Sequence, residues 1–196
     1  MKISKLPMFP LTIMPLPGEK TSLHIFEHRY RELLEHIEQG NRTFGIPYVT
    51  EEGNFQFGVE LRLIEITERY DSGESDIIVE AIRFFEVLSF QNQGNNVLYP
   101  TAEVVCLNEL NRRPLSTELM AEWIKFTEDV LKREELQRFT HIIEILPYLN
   151  LAPTERQILL KNFVLGTLNS WIVQRIRMQR VIASQRRSIK KGFSLN

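Results

Sequence analysis

The sequence predicts an α+β chain in which an antiparallel β-barrel with one inserted helix is followed by a C-terminal helical bundle. Up to about residue 107, apolar and polar side chains mostly alternate, a period of two that is typical of half-buried strands. After Pro114 the period lengthens to that of an α-helix. We therefore expect a β-rich subdomain over residues 1–113 and a helical subdomain over residues 114–196.

The predicted strands are separated by short clusters of Gly, Asn, Asp and Pro. The alternating runs span residues 9–13, 23–25, 44–48, 55–63, 78–84 and 97–107. After the fourth run the phase slips to Ile64 and Ile66, which indicates a β-bulge or a bend at a barrel corner. Strands with this spacing predict a closed or half-closed antiparallel sheet.

One amphipathic helix is predicted inside the β-rich part. Its apolar stripe has spacings of three and four residues and consists of Phe26, Tyr30, Leu33, Leu34 and Ile37. Gly40 stands where a helix C-terminal glycine is expected. Because Phe26 opens the stripe, we expect it to be buried, so that Phe26→Ala would cost about 3–5 kcal/mol of folding stability.

Several helices are predicted after Pro114. Ser116 or Thr117 should cap the first, Pro147 should end the second, and Thr154 with Gln157 should form a capping box for the third. In the last helix an apolar stripe should pack on the rest of the chain, and it consists of Trp171, Ile172, Ile176 and Ile182. A cationic face should point outward, and it consists of Arg175, Arg177, Arg180, Arg186 and Arg187.

Charge is divided unevenly along the chain, although the net charge is only −1. From Arg156 onward there are nine Lys and Arg residues and no Asp or Glu. The first 155 residues hold the other 15 basic residues and all 25 acidic ones. The basic end could dock on the acidic part of the chain, or it could bind an anionic partner such as nucleic acid.

No pattern of residues predicts a catalytic, metal or cofactor site. The stretch Gly18–Ser22 lacks the glycine spacing of a phosphate-binding loop. There is no Gly-x-Ser-x-Gly elbow, and Cys106 stands among apolar neighbours that favour an inert strand residue. His24 and His28 have a possible ligand spacing without an obvious third ligand. We therefore expect a binding module rather than an enzyme, with no cofactor.

The cytoplasm is the expected location. The single cysteine cannot form an internal disulfide, so the fold does not depend on an oxidising compartment. Four prolines between residues 7 and 17 interrupt any signal-peptide core, and no stretch approaches the ~20 apolar residues that a membrane span needs.

Five segments in order resemble the N-terminal domain of Lon proteases. They are Leu6–Leu11, Leu23–Tyr30, Phe57–Val59, Val79–Phe84 and Tyr99–Val104. In the fourth, Ala81 replaces a glycine of the family pattern. The resemblance covers nearly the whole chain and is looser after Pro114. It implies a PUA-like β-barrel followed by helices, and a role in recognising polypeptide substrates. The ATPase and peptidase modules of full Lon proteases are not expected here.

Polypeptide binding is therefore the leading functional hypothesis, and RNA binding through the PUA-like fold and the basic C-terminal helix is the alternative. An extended polypeptide could add to a strand edge or lie in an apolar groove. Proline suits a sheet edge, so the candidate peptide-binding residues are Phe44, Ile46, Pro47 and Tyr48. The same four residues could equally be core.

Overall fold

The structure of this chain, a computed structural model, describes residues 3–49, 53 and 55–193, with side chains up to residue 188. The chain divides into two compact units, residues 1–111 and residues 112–196. No helix in the described part of the chain is long and apolar enough to cross a membrane.

Among its described residues, the first unit contains six strands and two helices. The strands are β1 (Ile3–Pro7), β2 (Lys20–Ile25), β3 (Thr43–Val49), β4 (Phe55–Arg69), β5 (Ser75–Gln91) and β6 (Thr101–Cys106). The helices are α1 (His28–Gln39), which lies between β2 and β3, and the short α2 (Asn108–Asn111). The predicted combination of an antiparallel sheet with an inserted helix is confirmed.

All strand pairs in this sheet are antiparallel, in the order β1-β6-β5-β4-β3, and β2 pairs with β5. The long strand β5 therefore holds β2 and β6 along different parts of its length. In the described part of the chain, two isolated parallel bridges join the two ends of this order, Met8 with Gly45 and Leu11 with Tyr48. Within the described residues no continuous ladder closes the sheet, so the expected closed barrel is corrected to an open, curved sheet.

Strand β4 bends where the sequence pattern slips. Its register with β5 shifts between Leu63 and Glu65, which confirms the predicted irregularity at Ile64. Before the shift, alternate side chains of β4 fill the core, and these are Phe57, Val59, Leu61 and Leu63. Ile64 is exposed, because the extra residue in one strand turns its side chain away from the core.

Helix α1 covers this core with most of the predicted stripe. The buried residues of the helix are Tyr30, Leu33, Leu34 and Ile37. Phe26 is not among them, and its side chain is 55% exposed, so the expectation of a buried Phe26 is wrong. The helix begins only at His28 and its cap Glu27 is extended, so Phe26 lies outside the helical register that placed it on the stripe.

The second unit is helical. It contains α3 (Thr117–Phe126) continued by a π-helical turn (Thr127–Leu131), a 3₁₀ turn (Glu134–Arg138), α4 (Ile142–Ile145), a 3₁₀ turn (Leu146–Leu149), α5 (Pro153–Val164) and α6 (Leu168–Phe193). Ser116 caps α3 by accepting a hydrogen bond from the Leu119 N–H at 3.2 Å, as predicted.

Two predicted helix boundaries in this unit are wrong. Pro147 lies within a 3₁₀ turn, because a proline near the start of a helical turn needs no N–H donor. Glu155, rather than Gln157, accepts the N–H of the α5 cap residue Ala152 at 2.9 Å. Gln157 is buried instead.

Trp123 is the largest fully buried side chain in this unit. Its indole N–H donates to the Leu136 carbonyl at 2.9 Å, which ties the 3₁₀ turn to α3. From α6, Ile172 and Ile176 are fully buried, as predicted, but Ile182 is 39% exposed and leaves the predicted stripe incomplete.

Candidate functional site

A groove of about 600 Å³ opens on the β-rich unit. It lies between the segment that follows β1, the strand β2 and the start of α1, and it reaches the ends of β4 and β5. We call it the Phe26 groove; its main lining residues are Phe9, Pro10, Leu11, Leu23, His24, Phe26, Glu27, Arg29, Tyr30, Phe55, Phe90 and Pro100. The lining is therefore mainly apolar and aromatic, with charged groups at one side.

Aromatic rings pack together in the floor of the groove. The buried Phe9 ring lies 4.1 Å from the Tyr30 ring and 6.3 Å from the Phe44 ring, measured between centroids. Phe55 and Phe90 stack with centroids 4.1 Å apart and planes at 28°. Close-packed rings of this kind resist rearrangement, so the floor is largely preformed.

Phe26 projects from the rim of the groove. The preceding residue, Ile25, is buried at the end of β2, so the alternation of the strand turns Phe26 toward solvent. The Phe26 ring stacks against the His24 ring, with centroids 5.9 Å apart and planes at 21°. Arg31 Nε donates to the Phe26 carbonyl at 2.8 Å, which holds the backbone in this extended conformation.

The charged groups next to Phe26 bind one another. Arg29 pairs with Glu27 at 2.8 Å, and its guanidinium lies 4.6 Å above the centre of the Tyr30 ring. Burial raises the pKa of Tyr30, so its ring stays neutral beneath that cation. The rim thus offers a compensated ion pair and an aromatic face rather than an unpaired charge.

His24 is fixed by an acidic neighbour on β5. Its Nδ1 lies 2.7 Å from Asp76 Oδ1, and the Tyr70 hydroxyl donates to Asp76 Oδ2 at 2.7 Å. The hydrogen bond to Asp76 raises the pKa of Tyr70 to about 12, while the bonds from Tyr70 and His24 lower the pKa of Asp76. His24 and His28 do not converge on a shared site, and no cluster of three potential metal ligands occurs in the described residues.

The candidate peptide-binding residues of β3 lie mostly beneath the surface. Phe44 and Ile46 are fully buried, Pro47 is buried and Tyr48 is half-buried. Phe44 supports Phe9 from below, so it contributes to the floor of the groove without lining it. The sequence interpretation missed Phe26, although its position out of phase with Leu23 and Ile25 was a usable signal.

Cys106 has the environment of an unreactive thiol. It is half-buried, and burial raises its pKa. Its Sγ lies 3.9 Å from the Glu60 carboxylate, which is itself buried and bound to Arg83 Nε at 2.6 Å. A thiol next to a carboxylate is a poor nucleophile, because the thiolate would meet a like charge.

Much of the basic charge of α6 is neutralised inside the helical unit. Arg175 binds Glu155 at 2.7 Å, and Arg177 binds Glu118 at 3.0 Å. Arg180 Nη2 binds Asp129 at 2.6 Å and its Nη1 binds Glu122 at 3.1 Å. The carboxylate partners of these three arginines lie on α3, on the π-helical turn and on α5. The side chains of Arg175 and Arg180 are only 19% and 27% exposed, so the prediction that they face outward is wrong.

Comparison with known proteins identifies the family. Residues 5–181 match the family model of the ATP-dependent protease La (LON) substrate-binding domain. The Lon N-terminal domain protein from Xanthomonas campestris is similar in structure, with 22% sequence identity, a TM-score of 0.59 and coverage of 80% of this chain and 89% of that one.

The N-terminal domain of Mycobacterium avium complex Lon protease is 17% identical, with a TM-score of 0.49 and coverage of 92% of this chain and 98% of that one. No curated protein sequence matches this chain. The match to the family model covers most of the sequence, and the Xanthomonas structure shares the fold. The chain therefore belongs to the family of the Lon substrate-binding domain.

Proposed function

We propose that this chain is a non-catalytic polypeptide-binding module and that an apolar stretch of an extended polypeptide binds in the Phe26 groove. One observation carries the proposal: a 55% exposed phenylalanine stands at the rim of a groove whose floor is aromatic. Membership in a family described as substrate-binding points in the same direction.

The composition of the groove suits apolar side chains with an extended backbone. Its volume of about 600 Å³ lies within the ~300–1,000 Å³ range of ligand pockets, enough for a few side chains and not for a folded domain. Phe26 and Leu11 supply apolar contact, and the Glu27–Arg29 pair supplies polar groups at the rim. Exposed aromatic groups beside a preformed floor are typical of binding surfaces.

The chemistry of the groove supports binding rather than catalysis. Its acidic and basic side chains are already engaged with each other, as in Glu27 with Arg29 and His24 with Asp76. Ser22 and His24 both line the groove, but the two ring nitrogens of His24 face the carboxylates of Asp76 and Glu74, at 2.7 and 3.6 Å, and not the Ser22 hydroxyl. We also propose that residues 1–113 form a PUA-like β-rich subdomain and that residues 114–196 form a helical-bundle subdomain. We further propose that the protein is located in the cytoplasm.

RNA binding, the alternative, has less support. The basic residues of α6 that suggested it include Arg175, Arg177 and Arg180, which already bind carboxylates of the same unit. A polyanion would have to displace those carboxylates. Binding to RNA would lose affinity steeply with added salt, whereas apolar binding in the groove would change little.

The proposal can be tested with a permanently unfolded protein, reduced and carboxymethylated α-lactalbumin, labelled for fluorescence anisotropy. Burying the rest of the Phe26 ring is worth about 0.8–1.5 kcal/mol, half the value of about 1.5–3 kcal/mol for a full phenylalanine side chain. Phe26→Ala should therefore weaken binding about 4- to 13-fold. Phe26→Trp should retain binding, since it keeps an aromatic ring at the rim.

Leu88→Ala is the matched control, because Leu88 is 51% exposed on β5 and does not line the groove. It should bind the unfolded protein as the parent chain does. Equal affinities for the parent chain and Phe26→Ala, at unchanged melting temperatures, would overturn the proposed site. Tight, strongly salt-dependent binding of RNA without binding of the unfolded protein would favour the alternative.

A further inference from the structure

Helix α6 carries a second apolar stripe that the core of the helical unit does not use. Met178, Val181 and Ile182 are 47%, 55% and 39% exposed, whereas Ile172 and Ile176 are fully buried. With 3.6 residues per turn, the exposed trio lies on the other side of the helix from the two buried isoleucines. A helix in a soluble protein ordinarily carries polar residues there.

The exposed side chains follow the spacing of a helix-packing seam. Gln174, Met178, Val181 and Gln185 are separated by four, three and four residues, which is the a/d spacing of a heptad, and all four are exposed. Ile182 lies beside this seam. We call these five residues the α6 stripe. Such a seam accommodates the apolar edge of a second helix.

Cations lie on both borders of the α6 stripe, and they differ in their partners. Arg177 lies beside Val181 and is already bound to Glu118 and Glu122. Arg186 lies beside Ile182 on the opposite border and forms no ion pair within the part of the chain that the structure describes. The sequence of α6 contains no acidic residue. A partner helix with acidic side chains along one flank of its apolar positions would complement the Arg186 border.

We infer that the α6 stripe binds one helix of a partner polypeptide, with apolar a and d positions and acidic side chains along the flank that meets Arg186. A second copy of this chain fits less well, because its α6 has no acidic side chain to place against Arg186. The surface is distinct from the Phe26 groove in both place and ligand, since it takes a helix rather than an extended segment.

The test uses two synthetic 21-residue peptides and the full chain. The acidic peptide has Leu at every a and d position and Glu at every e and g position, and the basic peptide has Lys in place of Glu. In fluorescence anisotropy at low salt, the acidic peptide should bind at least ten times more tightly than the basic one. The difference should shrink as NaCl is added, because exposed charges are screened.

Variants locate the binding surface. The double variant Met178→Glu with Val181→Glu should weaken binding of the acidic peptide at least tenfold. Arg186→Glu should weaken the acidic peptide and strengthen the basic one. Val164→Glu is the matched control, because Val164 is 51% exposed on α5 outside the stripe, and it should leave the affinity unchanged. Circular dichroism should show that all three proteins keep the melting temperature of the parent chain within a few degrees.

Three results would overturn the inference. The acidic peptide could fail to bind at 100 µM, or the double variant could bind it as tightly as the parent chain. Alternatively, light scattering could show a dimer that the double variant abolishes, which would assign the stripe to self-association. Phe26→Ala should leave peptide binding at α6 intact, so failure of the groove proposal would be recognised separately.

Discussion

Gly58, in the middle of β4, is the position where a single added methyl group should damage the β-rich unit most clearly. It pairs with Pro47 of β3 on one side and with Phe85 of β5 on the other. A Cβ at this position would lie 2.5 Å from the Ile46 carbonyl oxygen and 2.6 Å from Phe85 Cε2. Neither group can give way easily, because one is sheet backbone and the other is a fully buried ring.

The expected loss follows from this crowding. Overpacking a filled core costs about 1–3 kcal/mol, and contact with backbone places Gly58→Ala at the upper end, near 3 kcal/mol. For a chain of this size each kcal/mol lowers the melting temperature by about 2–4 °C, so the drop should be about 6–12 °C. Gly45→Ala should cost less, about 1 kcal/mol, since its Cβ would mainly meet the flexible Met8 thioether at 2.6 Å.

Thermal unfolding followed by circular dichroism measures both losses. Gln56→Ala is the control, because Gln56 is an exposed residue of the same strand two positions before Gly58, so its change of melting temperature shows the effect of a substitution without crowding. The melting temperature should be highest for the control, lower for Gly45→Ala and lowest for Gly58→Ala. A Gly58→Ala melting temperature within 2 °C of the control would refute the packing described for β3, β4 and β5.

Three other predictions concern charge, titration and activity. Arg180→Gln should lower the melting temperature in low salt and by about half as much in 0.5 M NaCl, because it removes the partner of Glu122 and Asp129; an effect independent of salt would contradict the ion-pair account. Absorbance at 295 nm should show Tyr70 ionising near pH 12, and at a lower pH in Asp76→Ala, which removes the carboxylate acceptor. Because the pKa of Tyr70 is raised in the folded state, this hydrogen bond should stabilise the fold fully below about pH 10 and be lost as the pH rises toward 12; identical titrations of the two proteins would rule it out. The 196-residue chain should neither hydrolyse ATP nor degrade casein, and turnover that persists through rigorous purification would refute a purely binding role.

The alternation of apolar residues was enough to predict most of the sheet. Phe57, Val59, Leu61 and Leu63 fill the core at the period of two that a strand imposes on its side chains, although Gly58 and Glu60 between them are buried as well. The slip after Leu63 was visible for the same reason. Closure of the sheet could not be predicted, because it depends on how the segment after β1 meets β3 through isolated bridges.

Phe26 shows why the candidate site escaped the sequence pattern. Phe26 lies four residues before Tyr30, and the two residues share a helical stripe only if residue 26 is itself in the helix. The helix begins at His28, and the boundary depends on extended backbone at Glu27 and on the Arg31 hydrogen bond to the Phe26 carbonyl. A helix boundary of this kind is set by backbone conformation and by a local side-chain contact, which the hydrophobic pattern alone does not display.

The basic C-terminal segment shows a similar limit. Its helical period was readable, and burial of Ile172 and Ile176 followed from it. The partners of Arg180 were not readable, since Glu122 and Asp129 lie more than 50 residues earlier in the chain. The sequence alone therefore could not show that the basic end binds carboxylates of its own unit.

Site-specific photo-crosslinking tests the central claim most directly. A benzophenone amino acid placed at position 26 should form adducts with reduced, carboxymethylated α-lactalbumin, and the same group at position 88 should form few. Fragment mapping should locate the crosslinks in apolar stretches of the lactalbumin chain. Equal crosslinking from the two positions, or adducts from position 88 alone, would contradict polypeptide binding in the Phe26 groove.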